Sequence, residues 1–127
     1  MTDHIRHGAG SVRPYLCGPV ELLNFIETVF DAEEVERHEF GPESFHVEYR
    51  VGDSVLVVEA GELGPDQSSW TNSIYVYLPD VDEAYRRAIQ LGATSIASPT
   101  EKPYDERQAG VKDMAGNTWW LSTFASS

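Results

Sequence analysis

Two stretches of the chain carry the same alternation of apolar and polar positions. Ser11–Ala60 and Ser73–Phe124 each open with a short apolar run read as a strand (SVRPYL; SIYVYL), turn into an amphipathic helix (PVELLNFIETVF; VDEAYRRAIQL), and continue in strand-like segments separated by turn signals. Laid over each other, Leu16 falls on Leu78, Glu21 on Glu83 and Asp31-Ala32 on Gly92-Ala93, a spacing of about 60 residues. A unit this small buries its apolar face only against a neighbour. The pattern therefore predicts an α+β fold in which two βαβββ modules, residues 11–60 and 73–127, form a cup able to hold a small molecule.

Within the first helix Val20, Leu23, Ile26 and Phe30 form one apolar stripe, and Pro19 suits the first helical turn. Asp31 stands at its exit, where the second helix has Gly92; both residues tolerate the left-handed conformation of a helix end. Asp80, with Glu83 three residues on, is a capping box for the second helix. The clearest hairpin is Phe45–Ala60, with a two-residue turn at Gly52-Asp53 that sets Val51 opposite Ser54 and His46 opposite Glu59. Alternation then gives Val47, Tyr49, Leu56 and Val58 one face, to lie under the helix, and His46, Glu48, Arg50, Val55, Val57 and Glu59 the other. A strand face with four ionisable groups is either a solvated surface or the wall of a functional cavity.

With 127 residues the chain is one domain's worth, so the duplication lies inside a single domain. Residues 1–10 are polar and aperiodic and read as a flexible tail, and residues 61–72, rich in Gly, Pro and Ser, read as the linker between modules. The formal net charge of -12, with nine scattered basic residues, argues against a nucleic-acid partner and favours a cationic ligand through long-range attraction. No run approaches the ~18 apolar residues of a membrane span. The lone Cys17 precludes an internal disulfide, and the opening residues carry no hydrophobic signal segment, so the expected setting is the cytoplasm. Cys17 has no basic neighbour to activate it as a nucleophile, and no Gly-rich phosphate loop stands at a strand-to-helix junction.

From Ser11 to Phe124 the chain resembles the vicinal oxygen chelate superfamily, which includes glyoxalase I, bleomycin-resistance proteins and extradiol dioxygenases. The resemblance is carried by VRPYL, NFIETVFDAEEV, HVEYRVGDSVLVVEA, DVDEAYRRAIQLGA and RQAGVKDMAGNTWWLST taken together, and the Trp-Trp ending is similar to the PhnB-like branch. It implies a curled mixed sheet with helices outside, and commonly a homodimer. In metal-dependent members each module gives two ligands, from its first and last strands. Those positions fall here on Ser11, Glu59 or its neighbour Val57, Ser73 and Trp120. Only Glu59 is a strong ligand, because serine hydroxyls bind such ions poorly and an indole offers only an N–H. The expectation is a protein without the usual divalent metal and with no other cofactor. His46, Glu48 and Glu59 form a conceivable relocated ligand set, or a histidine oriented by carboxylates; His38 reads as a solvated surface residue.

The same parity points Arg13, Tyr15, Tyr75, Tyr77, Ser122 and Phe124 inward with Ser73 and Trp120, and Val12, Leu16, Ile74, Val76 and Leu121 toward the helices. Of the adjacent Trp119 and Trp120, one is core, and Trp119 is the expected one. Ser98–Arg107 resembles a segment that is mobile in the family and reads either as a lid carrying Arg107 or as a plain connection. The expected ligand-binding residues are Arg13, Tyr15, His46, Glu48, Glu59, Ser73, Tyr75, Tyr77, Arg107 and Trp120. Two functions fit: a protein of the bleomycin-resistance type that sequesters an aromatic or cationic compound, or an enzyme (lyase, isomerase or dioxygenase) with a relocated metal or with His46 as general base oriented by Glu59.

Overall fold

The structure, a computed structural model, describes residues 4–61 and 71–125. The first module runs β1 (Tyr15–Gly18), α1 (Glu21–Phe30), β2 (Glu33–Glu39), β3 (Ser44–Val51) and β4 (Ser54–Gly61). The second repeats it as β5 (Ser73–Tyr77), α2 (Val81–Gln90), β6 (Thr94–Lys102), β7 (Glu106–Lys112) and β8 (Thr118–Phe124). Each module is a four-stranded sheet, ordered β1-β4-β3-β2 and β5-β8-β7-β6, with its first strand parallel to its last and the remaining pairs antiparallel. The expected α+β pair of βαβββ modules is what folds. Most of the expected linker, residues 62–70, lies outside the described residues.

Turn chemistry sets the hairpin register. Gly52 takes φ 59°, and Val51 opposes Ser54 and His46 opposes Glu59 as the alternation requires. Val47, Tyr49, Leu56 and Val58 are buried under the helices, the consequence of that register. Asp31 ends α1 in the left-handed region at φ 51°, and Gly92 does the same after α2 at φ 96°. Asp80 caps α2 by accepting from the Glu83 N–H at 3.1 Å.

One core serves both modules: Leu22, Phe25, Ile26 and Phe30 of α1 belong to the same cluster as Ala88, Val111, Trp119 and Leu121. The Phe30 and Trp119 rings meet at 4.5 Å between centroids, and Arg87 of α2 donates to the Thr28 carbonyl of α1 at 3.2 Å. The buried face of α1 is wider than the stripe read from sequence and excludes Val20, which stands half exposed at the helix start.

Two expectations change, and one open alternative is decided. β1 begins at Tyr15, not Ser11, because Pro14 has no N–H for a ladder and only its carbonyl joins β4, accepting from Val57 N at 3.0 Å. Ser11 and Val12 are therefore exposed, and Val12 does not face the helices. The segment before Arg107 is a strand and tight turn, β6 pairing with β7 through Lys102 opposite Glu106, so the plain connection rather than the lid is realised.

Candidate functional site

On the first sheet, the face turned away from the helices holds a linked set of ionisable groups. His46 contacts Glu59 Oε1 through Nδ1 at 2.7 Å and Glu48 Oε2 through Nε2 at 2.9 Å. The first contact follows from cross-strand register, and the second from the two-residue strand period. Tyr15 donates its hydroxyl to Glu59 Oε1 at 3.1 Å, and Arg13 reaches Glu48 Oε1 at 3.3 Å. Glu48 is only 4% exposed. Burial disfavours the His46 imidazolium, but its hydrogen bonds to Glu59 and Glu48 outweigh that and hold its pKa above the ordinary value. Five of the expected site residues, Arg13, Tyr15, His46, Glu48 and Glu59, thus come together.

The residues just before the first module complete this network. A short helical turn at Arg6–Gly8 lies over the same face: Arg6 Nε meets Glu36 Oε1 at 2.6 Å, and His7 Nε2 lies 3.1 Å from Glu36 and 3.2 Å from Glu48. Arg13 folds back onto the carbonyls of Gly10 and Ala9 at 2.7 and 2.9 Å and onto that of Arg6. Gly10 sits so close to Val55 that an added Cβ would lie 3.3 Å from its side chain, so this segment covers the sheet. Hydrogen bonds from Arg6 and His38 pull the Glu36 carboxyl down to about 2.

The second sheet offers a different surface. Tyr75 and Tyr77 stand on the helix-free side of β5, 47% and 61% exposed, with ring centroids 5.5 Å apart. Both hydroxyls donate to Glu106, Tyr77 at 2.6 Å, and Gln108 Nε2 donates to Tyr75 at 2.9 Å and to Ser122 at 3.2 Å. These bonds hold the Glu106 carboxyl below its usual range and push the Tyr77 phenol up to about 12. Trp120 lies across Gly110: a Cβ on Gly110 would meet its ring at 2.6 Å. Trp119, pointing the opposite way, is fully buried, and its indole N–H donates to Asp113 at 2.8 Å. Asp113 also accepts from the Ala115 and Asn117 N–H groups at 2.8 and 3.0 Å, which shapes the turn into β8. A cleft of about 230 Å³ opens beside β5, an edge strand, with Phe30, Leu56, Ile74, Val76 and Trp119 on its wall together with Tyr75 and Tyr77.

Arg107 does not belong to this surface. Odd positions of β7 face α2, so Arg107 binds Asp82 of that helix through Nε at 2.8 Å and Nη2 at 2.9 Å, and Glu101 at 3.2 Å. Ser73 is exposed at the outer end of β5, opposite Thr118. The residues that reasoning from sequence missed are Glu106, Gln108, His7 and Glu36. Glu106 and Gln108 were legible in principle: once β7 starts at Glu106, every second residue joins Ser122 and Trp120. The duplication even predicts them, since Gln108 opposite Ser122 occupies the register of Glu48 opposite Val57, and Glu106 opposite Phe124 that of His46 opposite Glu59.

The family's metal positions supply one strong donor. Ser11 precedes its strand, Ser73 offers a hydroxyl, Trp120 an indole, and Glu59 is engaged by His46 and Tyr15. Glu59 alone does not make a divalent site of the usual kind. One ligand atom each from His7, Glu36 and Glu48 falls within 4.8 Å of the others. Those carboxylates also face the guanidiniums of Arg6 and Arg13.

No family model and no curated protein matches the sequence. Solved structures do match the architecture. TioX from Micromonospora sp. ML1 is similar at a TM-score of 0.69 and 20% identity, over 93% of this chain and 98% of that one. A glyoxalase/bleomycin resistance protein/dioxygenase family enzyme from Burkholderia phytofirmans PsJN follows at 0.66 and 21%, over 92% and 100%. The fosfomycin resistance protein FosX from Listeria monocytogenes, solved with Mn(II) and sulfate, is similar at 0.63 and 17%, over 91% and 93%. With paired βαβββ modules, the matching strand order and this likeness over nine-tenths of its length, the chain has the fold of the vicinal oxygen chelate, or glyoxalase/bleomycin resistance/dioxygenase, superfamily.

Proposed function

We propose that the chain is a small-molecule-binding protein of the glyoxalase/bleomycin-resistance type that works without the usual divalent metal, or any other cofactor, and holds an aromatic or cationic compound against its second sheet. The observation that carries this reading is the row of Tyr75, Tyr77 and Trp120 on one helix-free face, beside a cleft, with Trp120 standing at a position where relatives with a metal need a ligand. Rings left exposed side by side, here tilted at 59° to one another, offer apolar faces and edges to a planar molecule. The first sheet is less available, because Arg6–Gly10 already lies on it. A cleft of about 230 Å³ is smaller than the ~300–1,000 Å³ of drug-sized sites. It takes part of a ligand, and pairing of two chains as a homodimer in the cytoplasm would enclose the rest.

Thermal-shift and calorimetric screens against planar heterocycles test this reading, with light scattering for the dimer. Stabilisation by such compounds, lost on Trp120→Ala, is expected; flat responses from protein that turns over a substrate would overturn it. The second reading, an enzyme using His46 as general base, draws on the imidazole held between Glu48 and Glu59. Both ring nitrogens are occupied by carboxylates, which leaves neither free to take a substrate proton. That geometry ranks it second.

A further inference from the structure

We infer that Glu106 is the anchor for a positively charged nitrogen, and that the compound held on the second sheet is an aromatic ammonium: a flat ring system carrying a protonated amine. This inference rests on the binding role proposed above. It starts from an imbalance of charge. Glu106 is 7% exposed, and Lys102 stands opposite it on β6, yet among the described residues no Lys, Arg or His comes within ion-pair distance of its carboxylate. Glu48, the buried carboxylate of the first sheet, has Arg13, His7 and His46 around it. Asp113, the other buried carboxylate, is closed off by backbone, amide and indole donors inside a turn. Glu106 instead sits on an open face with two phenol donors, and a carboxylate has about four lone-pair sites, so acceptor capacity remains.

The surroundings select a cation over other donors. The Tyr75 and Tyr77 rings lie 5.5 Å apart, tilted at 59°, with both hydroxyls on Glu106, and Trp120 stands opposite Tyr75 on the neighbouring strand. Ring faces attract a cation, and a carboxylate at the same place adds a charge-assisted hydrogen bond. The phenol hydrogen bonds also keep Glu106 ionised at neutral pH, so the charge is in place before any ligand arrives. Burial of an ionised group without a counter-ion is unfavourable, and an incoming ammonium relieves it. Asp82 and Glu101 on the other face of the sheet do not offer the same site, since Arg107 already neutralises them.

The test compares 1-naphthylmethylammonium with its neutral counterpart 1-naphthylmethanol, by calorimetry on the full chain. The ammonium is expected to bind at least about tenfold more tightly, the size of one hydrogen bond to a charged group. That preference should shrink as salt is raised. Glu106→Gln should abolish the preference while naphthylmethanol still binds, and Arg107→Gln, on the helix side of the sheet, should preserve it. A melting curve for each variant shows that it is folded. Equal binding of the two probes, or a preference that survives Glu106→Gln, overturns the assignment of Glu106 and leaves the binding role standing. Failure of both probes to bind overturns the binding role, and this inference with it.

Discussion

Replacing Gly110 with alanine isolates the packing that presents the Trp120 ring. Gly110 lies inside β7 with an ordinary strand conformation, so its lack of a side chain answers a need for space, not for backbone freedom. An alanine Cβ would stand 2.6, 2.9 and 3.3 Å from three ring atoms of Trp120. Carbon atoms prefer about 3.5–4.0 Å, so the closest contact is about 1 Å too short and the ring must leave the sheet. Overpacking costs about 1–3 kcal/mol, and removing a strand glycine returns about 0.5–1 kcal/mol. The net expectation is a loss of up to about 2.5 kcal/mol in urea unfolding, together with loss of affinity for planar ligands. Made in a Trp120→Ala background the same substitution meets no ring, so its sign should reverse to a gain of about 0.5–1 kcal/mol. A Gly110→Ala cost that is unchanged when Trp120 is absent would show that the ring does not lie over Gly110, and the argument for a preorganised aromatic wall would fail.

Other consequences follow from the same coordinates. Asp113→Ala strands several buried donors, including the Trp119 indole, and should lower unfolding stability by about 2–4 kcal/mol; a loss under about 0.5 kcal/mol would refute the role given to this turn. His46 has a raised folded pKa, so its charged contacts with Glu48 and Glu59 add stability that is fully present below the ordinary histidine value and lost as pH rises through the folded one. The stability gap between wild type and His46→Gln should accordingly narrow from mildly acidic to alkaline pH, and a gap that widens contradicts the network. Arg107→Gln breaks a bidentate contact with Asp82 on the helix side and should leave ligand affinity unchanged in calorimetry; a large fall in affinity would return Arg107 to the binding surface.

How much of the site could be read in advance depended on how local its causes are. The pairing of His46 with Glu59 was legible because a two-residue turn and the two-residue strand period fix it within sixteen residues of chain. Glu106 was hidden by a boundary: Ser98–Arg107, with its two prolines, resembles a loop, and a strand start misplaced by a residue or two removes an entire face from view. Arg6 and His7 could not be placed at all, since their partners Glu36 and Glu48 lie about thirty to forty residues away and ion pairs leave no periodic trace.

By itself, the amino-acid order determined the duplicated βαβββ unit, its helix ends at Asp31 and Gly92, its capping residue Asp80 and the hairpin register, because propensity, turn stereochemistry and alternation all act over a few neighbouring residues. Only the tertiary structure decided that the residues before the first strand lie on one sheet face, that Arg107 serves the helix side, and that Glu106 accepts from two tyrosines without an ion pair among the described residues. Those outcomes depend on which distant faces meet when two modules share one core, and burial and charge pairing settle that once the chain has closed on itself.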